Sequence, residues 1–443
     1  MTAEVLTVWM DGFDTPAGEL VRTNTGEMAF LYAEDYSAAG GLPLSMSLPI
    51  DHEEFGDVES RAYFSNLLPE NNQLDAIMAR EGLARDDVVG LLGHLGADCA
   101  GSVSCLPVGA PPVKTPGVLA EDYEPLEEAK LARIVRSLAD AQRLPAEVDD
   151  PSPVAGVQSK IALTVLSDRR FALPRAGLRV PTTHILKVPE RRNGGEARLE
   201  EAAALLAEAA GLEVSVPQAL KIDGIDALLI ERFDRRVDKG IVSRIHQEDF
   251  AQALGFPSEL KYQRRGKLGR RFDVEAILSV LRRTSAPDSA ALAFLRATLF
   301  NLCIGNTDNH AKNHALLYDA GHVPRLAPLY DLLPIRLDRR YNHELAFEVG
   351  TAKFFDDMTS EDLADLITAF GVEDIQEFVE AVVVPLIASL EKATPALRGT
   401  GLRQFDDLIG RECDRLVELL GAALDLRERD HFPNHTPGGW AAS

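Results

Sequence analysis

Cysteine is scarce in this chain. The 443 residues hold four, Cys99, Cys105, Cys303 and Cys413, and no two of them form a CxxC pair. That scatter excludes both a disulfide framework and a zinc ribbon, and leaves reduced core thiols as the expectation. Long apolar runs are missing too: none approaches the roughly 20 residues needed to cross a bilayer. Met1-Thr2-Ala3-Glu4 lacks the basic and apolar regions of a signal peptide, so the cytoplasm is the expected location. A cationic excess is absent as well. With 46 Lys and Arg against 69 Asp and Glu, the formal charge is -23, which opposes binding of nucleic acid by the surface as a whole, because phosphate affinity comes from Lys and Arg. The remaining composition, 46% apolar and 26% charged, is that of a globular chain long enough for two or three domains with a large core.

Against that background one stretch carries chemistry. Asp308-Asn309-His310-Ala311-Lys312-Asn313 sets an acid and an amide five positions apart, and Asp331 follows eighteen residues beyond Asn313. Phosphoryl transfer needs a base facing the acceptor hydroxyl and hard oxygen ligands holding Mg²⁺ on the triphosphate. In the protein-kinase layout those places go to a loop Asp, an Asn five residues on and a downstream Asp. Asp308 as base, with Asn313 and Asp331 as metal ligands, fits them. The same spacing taken alone is more often a cap, a turn and an ordinary loop acid, so context decides. Leu292, Leu295, Leu299 and Leu302 recur at helical spacing, with Phe294, Phe300 and Ile304 adding apolar surface, and predict a buried helix over 291–304 that stops at Gly305. Asn306-Thr307 is turn chemistry that puts Asp308 on a loop. Residues 315–318 and 325–329 then read as two strands about a turn at Asp319-Ala320-Gly321.

Other elements follow from pattern. Strands are expected at 4–10 and 27–32, helices at 60–68 and 72–81, and a strand at 101–106. A Pro-, Gly- and acid-rich stretch at 107–126 reads as a linker. Beyond it come a helix at 127–138, strands at 160–166 and 184–188, an Ala- and Glu-rich helix at 198–210 ending at Gly211, and a strand at 228–230. The remainder is mainly helical: 274–283, 360–370, 375–392 and 408–424. The resulting expectation is an α+β chain with a kinase-like bilobal fold, a small N-terminal α+β subdomain and a mainly helical C-lobe. Its divisions are 1–112, an N-lobe-like 113–230 with an ATP loop, a C-lobe at 231–430 bearing the catalytic and metal residues, and a tail at 431–443 without order.

A nucleotide site needs a cation on the α/β-phosphates, and Lys187 at the end of the apolar strand His184-Ile185-Leu186 suits it. Glu200 or Glu201 on the next helix could orient that lysine, with Glu200 the preferred ion-pair partner. The segment Ala155-Gly156-Val157-Gln158-Ser159-Lys160 could line phosphates with backbone N–H groups, although the chain has neither a Walker A loop nor a GxGxxG. Glu231-Arg232-Phe233 stands where a kinase hinge would meet adenine. Two patterns mislead: His310 and His314 have zinc-helix spacing but Ala311 replaces the glutamate of HExxH, and the GxxGxxG run of Gly90, Gly93 and Gly96 is better explained by helix ends and turns than by phosphate binding. The densest cationic segment runs from Lys261 to Arg271, with Lys261, Arg264, Arg265, Lys267, Arg270 and Arg271; it is either a solvated loop or a contact for an acidic or nucleic-acid-bound partner.

These motifs, together with Leu44-Ser45-Met46-Ser47-Leu48-Pro49, Asn66-Leu67-Leu68-Pro69, Gln247-Glu248-Asp249, Pro257-Ser258-Glu259-Leu260-Lys261-Tyr262, Thr182 to Lys187, Glu231 to Arg235 and Tyr330-Asp331, resemble the HipA family of bacterial toxin Ser/Thr kinases over most of the chain. The resemblance implies Asp308 as catalytic base, Asn313 and Asp331 on Mg²⁺, and an ATP site built from Ala155, Gly156, Val157, Gln158, Ser159, Lys160, Lys187, Glu231, Arg232, Phe233, His310, Asn313 and Asp331. It also implies a helix-turn-helix, HipB-like antitoxin, operator DNA bound through it, and an aminoacyl-tRNA synthetase as substrate. Family toxins often autophosphorylate a Ser three residues before the loop Gly; here Pro153 stands there, with Ser152 beside it as a substitute. A catalytically silent corepressor and a small-molecule kinase are the alternatives.

Overall fold

Alternation builds the first sheet. In strand Glu4–Met10, Leu6, Val8 and Met10 point inward and are buried, and the same period of two recurs in Gly18–Arg22 and Met28–Tyr32. Glu54–Phe55, Met28–Tyr32, Gly18–Arg22, Glu4–Met10 and Val103–Pro107 lie side by side in that order, all antiparallel. Helices Asp57–Phe64 and Val88–Leu95 close the core over Leu20, Phe30, Tyr63, Phe64 and Leu92. The computed structural model describes residues 4–70, 72–145, 147–148, 152, 158–267, 269–319, 321–429, 435–436 and 439–440. The chain forms two compact units: Met1–Ala197, Gln218–Ser258 and Ala315–Pro324 make up the first, Arg198–Pro217, Glu259–His314 and Arg325–Ser443 the second.

A second antiparallel sheet in the first unit runs Gln218–Ile222, Ile225–Glu231, His184–Lys187, Lys160–Val165, Phe171–Pro174, Tyr123–Pro125. Helix Glu128–Ala141 covers one face with Ile134, Val135 and Leu138, against Ile161, Leu163, Leu186 and Ala227. In the second unit, helix Pro287–Ile304 packs on helix Arg403–Leu420. The first turn of Pro287–Ile304 holds a proline, which needs no intrahelical N–H partner there, while its last turns are buried on every side. The helix expected at 375–392 is present with one departure: Ile375–Phe378 passes through a π-turn at Val379–Val383 before continuing as Val384–Ala393. Pro385 lacks an N–H for an ordinary ladder, and the wider turn just before it lets the chain keep direction. His435–Thr436 pairs with Gly439–Trp440; the rest of the 431–443 tail lies outside the described residues.

Two buried polar hubs bind the N-terminal module to the rest of the first unit. In one, Asp98 accepts from Arg235 at 2.7 Å and Arg244 at 3.4 Å, Arg244 also pairs with Asp11, and Asp234 takes Arg232 at 2.9 Å and Arg235 at 2.8 Å. Three acids face three guanidinium groups, so the net charge of the hub is close to zero. Burial alone would raise the Asp234 pKa, but the charges of Arg232 and Arg235 overcome it and hold the carboxyl below its usual range. In the other hub, Glu248 is fully buried and accepts from Ser45 Oγ, the Met46 N–H at 3.0 Å and Tyr318 Oη. Burial pushes this carboxyl up to about 7, while Ser45, Tyr318 and Met46 N–H oppose the shift. The folded pKa therefore exceeds the unfolded value of 4.5, and the folded state retains a proton that the unfolded chain releases between the two. The contribution is fully present below about pH 4.5 and lost as pH rises through about 7. Glu248→Gln is expected to flatten the fall in melting temperature between about pH 5 and about pH 8; an unchanged slope in thermal melts would show that Glu248 is not the group responsible.

Candidate active site

The site begins where helix Pro287–Ile304 ends. Gly305 adopts φ +68°, the left-handed turn that stops a helix, and Asn306 N–H donates back to the Asn301 carbonyl at 2.9 Å. A Cβ on Gly305 would come within 2.9 Å of Leu408 and 3.2 Å of Arg336, so packing as well as conformation calls for glycine. The Asn306 side chain then works in both directions, its Nδ2 donating to Asn301 Oδ1 at 2.9 Å and its Oδ1 accepting the Asp308 N–H at 3.1 Å. Through these bonds the buried helix end fixes the backbone at Asp308.

The loop beyond is closed by its own polar groups. His310 N–H and Asn313 Nδ2 both donate to the Asp308 carbonyl at 2.8 Å, and Asn313 N–H donates to the His310 carbonyl. With its amide nitrogen used inside the loop, Asn313 has its carbonyl oxygen Oδ1 to offer a cation. Asp331 sits at φ +57°, a left-handed conformation that costs a non-glycine residue free energy and marks functional positions. Tyr330, just before it, donates from Oη to the Lys312 carbonyl at 2.7 Å. Leu329 lies in parallel pairing with Val214, donating to Glu213 O and accepting from Ser215 N–H, each at 2.8 Å. Asp331 is thereby held against the loop, and its charge helps raise the pKa of Asp308. The larger cause is burial of Asp308; Tyr262, Lys261 and Arg264 pull the other way.

Tyr262 is the member of this constellation that sequence reasoning missed. Its Oη donates to Asp308 Oδ1 at 2.5 Å, a charge-assisted length for O–H···O⁻. The Arg264 guanidinium lies 3.9 Å from the centre of its ring, and His310 meets it edge-on at 5.0 Å. Its signal in the sequence was the Pro257 to Tyr262 motif, recognised there for resemblance and not for chemistry. Asp308, Asn313 and Asp331 are thus brought together, with His310 beside them as a buried residue of the loop.

The residues expected on ATP from the first unit occupy one sheet. Lys187 and Lys160 stand directly opposite each other on neighbouring strands, a register that puts both side chains on one face. Gln158 and Ser159 precede that strand, whereas Ala155, Gly156, Val157 and Pro153 lie outside the described residues. Glu231 is exposed at the end of its strand, opposite His184. The Arg232 N–H donates to Thr183 O at 3.0 Å, and its side chain turns into the buried charge hub. Ser152 is fully buried in that hub: its Oγ donates to the Asp98 carbonyl and accepts from Arg232 Nη1 at 3.0 Å. Glu200 is buried on helix Gly195–Ala209, in a different compact unit from Lys187. Among the described residues no group of three or more His, Cys, Asp or Glu is arranged to hold a metal ion. Of the discounted glycines, Gly96 caps the end of helix Val88–Leu95, whereas Gly90 and Gly93 lie within that helix and not at a helix end or turn.

Comparison with known proteins adds independent findings. Residues 6–106 match the HipA N-terminal domain and residues 152–390 the HipA-like C-terminal domain. The chain is 38% identical over 353 residues to the kinase-designated Y4mE of Sinorhizobium fredii, covering 79% of this chain and 82% of that one. It is 31% identical over 365 residues to the serine/threonine-protein kinase toxin HipA of Shewanella oneidensis, covering 79% of each. In fold it is similar to the structure of the Shewanella oneidensis HipA, HipB and operator DNA complex, with a TM-score of 0.79, 24% identity, and coverage of 94% of this chain and 98% of that one. No described helix is long and apolar enough to cross a membrane. The N-terminal and C-terminal matches, in order along one chain whose fold agrees, place this protein in the HipA family of serine/threonine kinases.

Proposed function

We propose that this protein transfers the γ-phosphoryl group of Mg²⁺-ATP to a serine or threonine of a protein substrate and acts as the toxin of a toxin-antitoxin pair. The observation that carries this reading is the closed loop in which Asp308 keeps part of its surface exposed while Asn313, its nitrogen tied to the Asp308 carbonyl, has an oxygen to offer beside Asp331. One amide oxygen and one carboxylate are hard donors of the kind Mg²⁺ takes when substrate phosphates and water complete its shell, so the residues present fit the ion. When bound there, Mg²⁺ would neutralise charge on the transferring phosphoryl group. Asp308 would orient the acceptor hydroxyl and receive its proton as the new O–P bond forms and ADP departs. Lys160 and Lys187, opposite each other on neighbouring strands, would present two cations to the triphosphate from one face of the sheet.

The finer reading follows the relatives. A helix-turn-helix antitoxin of the HipB kind, operator DNA held through it, an aminoacyl-tRNA synthetase as substrate and a cytoplasmic setting are the partners and location we assign. Ser152 remains the candidate for autophosphorylation; to be modified, its hydroxyl must leave Asp98 and Arg232. The catalytically silent alternative is disfavoured by the retention of Asp308, Asn313, Asp331 and Lys187 together.

Labelled γ-phosphate from ATP should pass to protein with wild type and fall by about 10² to 10⁴-fold with Asp308→Ala, the usual cost of losing a positioned base. ATP binding by that variant should persist in calorimetry; undiminished turnover would reject Asp308 as the base. Asp331→Ala should weaken Mg²⁺-dependent ATP binding itself, and equal affinity with and without Mg²⁺ in wild type would remove the metal assignment. Mass spectrometry of the protein after incubation with Mg²⁺-ATP should place one phosphate on Ser152, absent from Ser152→Ala; a phosphate elsewhere would displace Ser152 from this role.

A further inference from the structure

The two carboxylate oxygens of Asp308 have different surroundings. Oδ1 accepts from Tyr262 Oη at 2.5 Å, whereas Oδ2 accepts no hydrogen bond from any described residue. The torsion that sets the plane of an aspartate carboxyl is broad and roughly two-fold. The bonds that fix the backbone at Asp308 therefore leave open where its oxygens point, and Tyr262 supplies the missing constraint. The tyrosine is itself constrained. Its neighbour Lys261 accepts the Ala311 N–H at 3.1 Å through its carbonyl, which ties the segment to the loop. Its other neighbour, Gln263, accepts the Glu348 N–H at 2.8 Å through side-chain Oε1, which ties it to strand Glu344–Val349. The Arg264 guanidinium lies 3.9 Å from the centre of the Tyr262 ring and donates to the Leu345 carbonyl at 3.4 Å, so a cation–π contact links the ring face to the same strand. His310 closes the ring edge at 5.0 Å. Held through its flanking residues, its face and its edge, the phenol keeps its hydroxyl on Asp308.

We propose, on the kinase reading above, that Tyr262 is the positioning residue of the base: it engages Oδ1 and so assigns Oδ2 to the acceptor hydroxyl. In the transfer step the acceptor O–H bond breaks as the new O–P bond forms, the bond from the γ-phosphorus to the bridging oxygen of ADP breaks, and Oδ2 takes the proton. An acceptor donating to Oδ1 has to compete with the phenol hydroxyl, while one donating to Oδ2 meets open lone pairs. Tyr262 acts through Asp308 and touches neither the acceptor nor ATP, so its loss costs rate and not nucleotide affinity. A tyrosine kept only for packing would lose nothing with its hydroxyl. The contacts of Lys261, Gln263 and Arg264 use a carbonyl, an amide and the ring face, and all of these remain when the residue is phenylalanine.

Tyr262→Phe removes the hydroxyl and keeps the ring. Wild type, Tyr262→Phe, Asp308→Ala and the double variant, each full length, are given γ-labelled Mg²⁺-ATP with heat-treated bacterial lysate as acceptor, and initial rates are read against ATP concentration. Tyr262→Phe should lower the rate at saturating ATP by about 10 to 10²-fold with KM for ATP unchanged. It should take nothing further from the activity that survives in Asp308→Ala. An unchanged rate, a higher rate, a loss confined to KM, or losses that multiply in the double variant each overturn the proposal. If Tyr262→Phe melts early, Arg264→Gln carries the comparison: a smaller loss of rate at the same KM is expected, and an unchanged rate overturns it. Urea unfolding of the same four proteins reads the contact without transfer. Non-additive stabilities in proteins that label nothing keep the contact but reject the kinase reading, and with it any part for Tyr262 in transfer. Additive stabilities in an active enzyme reject the contact and the proposal while the kinase reading stands.

Discussion

A helix whose last turns are buried on every side must end without leaving its last carbonyls unsatisfied, and the candidate site depends on how helix Pro287–Ile304 meets that constraint. Gly305 reverses the chain in the left-handed region, and Asn306 N–H returns to Asn301. The Asn306 side chain converts the cap into a support, holding Asn301 on one side and the Asp308 N–H on the other. Two later bonds of the loop, from the His310 N–H and from Asn313 Nδ2, converge on the Asp308 carbonyl. The result is a carboxylate carried on an irregular backbone that is nonetheless tied to the rigid core of its unit.

The parts of this arrangement that were legible in the sequence are those set by short covalent separation. Asp308 and Asn313 share one loop, so their spacing already encodes their proximity, and the leucine and phenylalanine period before them announces the helix that delivers them. Strand Glu4–Met10 and helix Asn72–Glu81 fall where their pattern placed them. Tyr262 was not legible as a partner of Asp308 because 46 residues separate them, and no local pattern reports a contact of that range. The same holds for Glu248, whose partners Ser45 and Met46 are more than 200 positions away. Strand Gly18–Arg22 escaped notice since only Leu20 and Gly18 are buried in a run of five, too short an alternation to stand out. The π-turn at Val379–Val383 follows from one proline inside an otherwise continuous apolar period.

Charge is used in two contrasting ways. In the first unit, Asp11, Asp98 and Asp234 face Arg232, Arg235 and Arg244 in a largely buried cluster, where each group is retained because its opposite is present; removing one partner of such a set leaves a buried charge uncompensated. Lys160 and Lys187 stand opposite each other across neighbouring strands with their charges alike, whereas the hub around Asp98 pairs each charge with its opposite.

The hub around Asp98 also bears on where this protein can be divided. The two family matches stop at residue 106 and begin again at 152, as though two pieces had been joined by a linker. Two of the three hub acids, Asp11 and Asp98, belong to the earlier piece, and all three arginines belong to the later one. Cut at the linker, the later piece would keep three buried guanidinium groups and a single carboxylate among them. The seam visible to sequence comparison is therefore not a seam for folding, and the N-terminal module, through Asp11 and Asp98, is the counter-ion of the kinase portion as much as its neighbour.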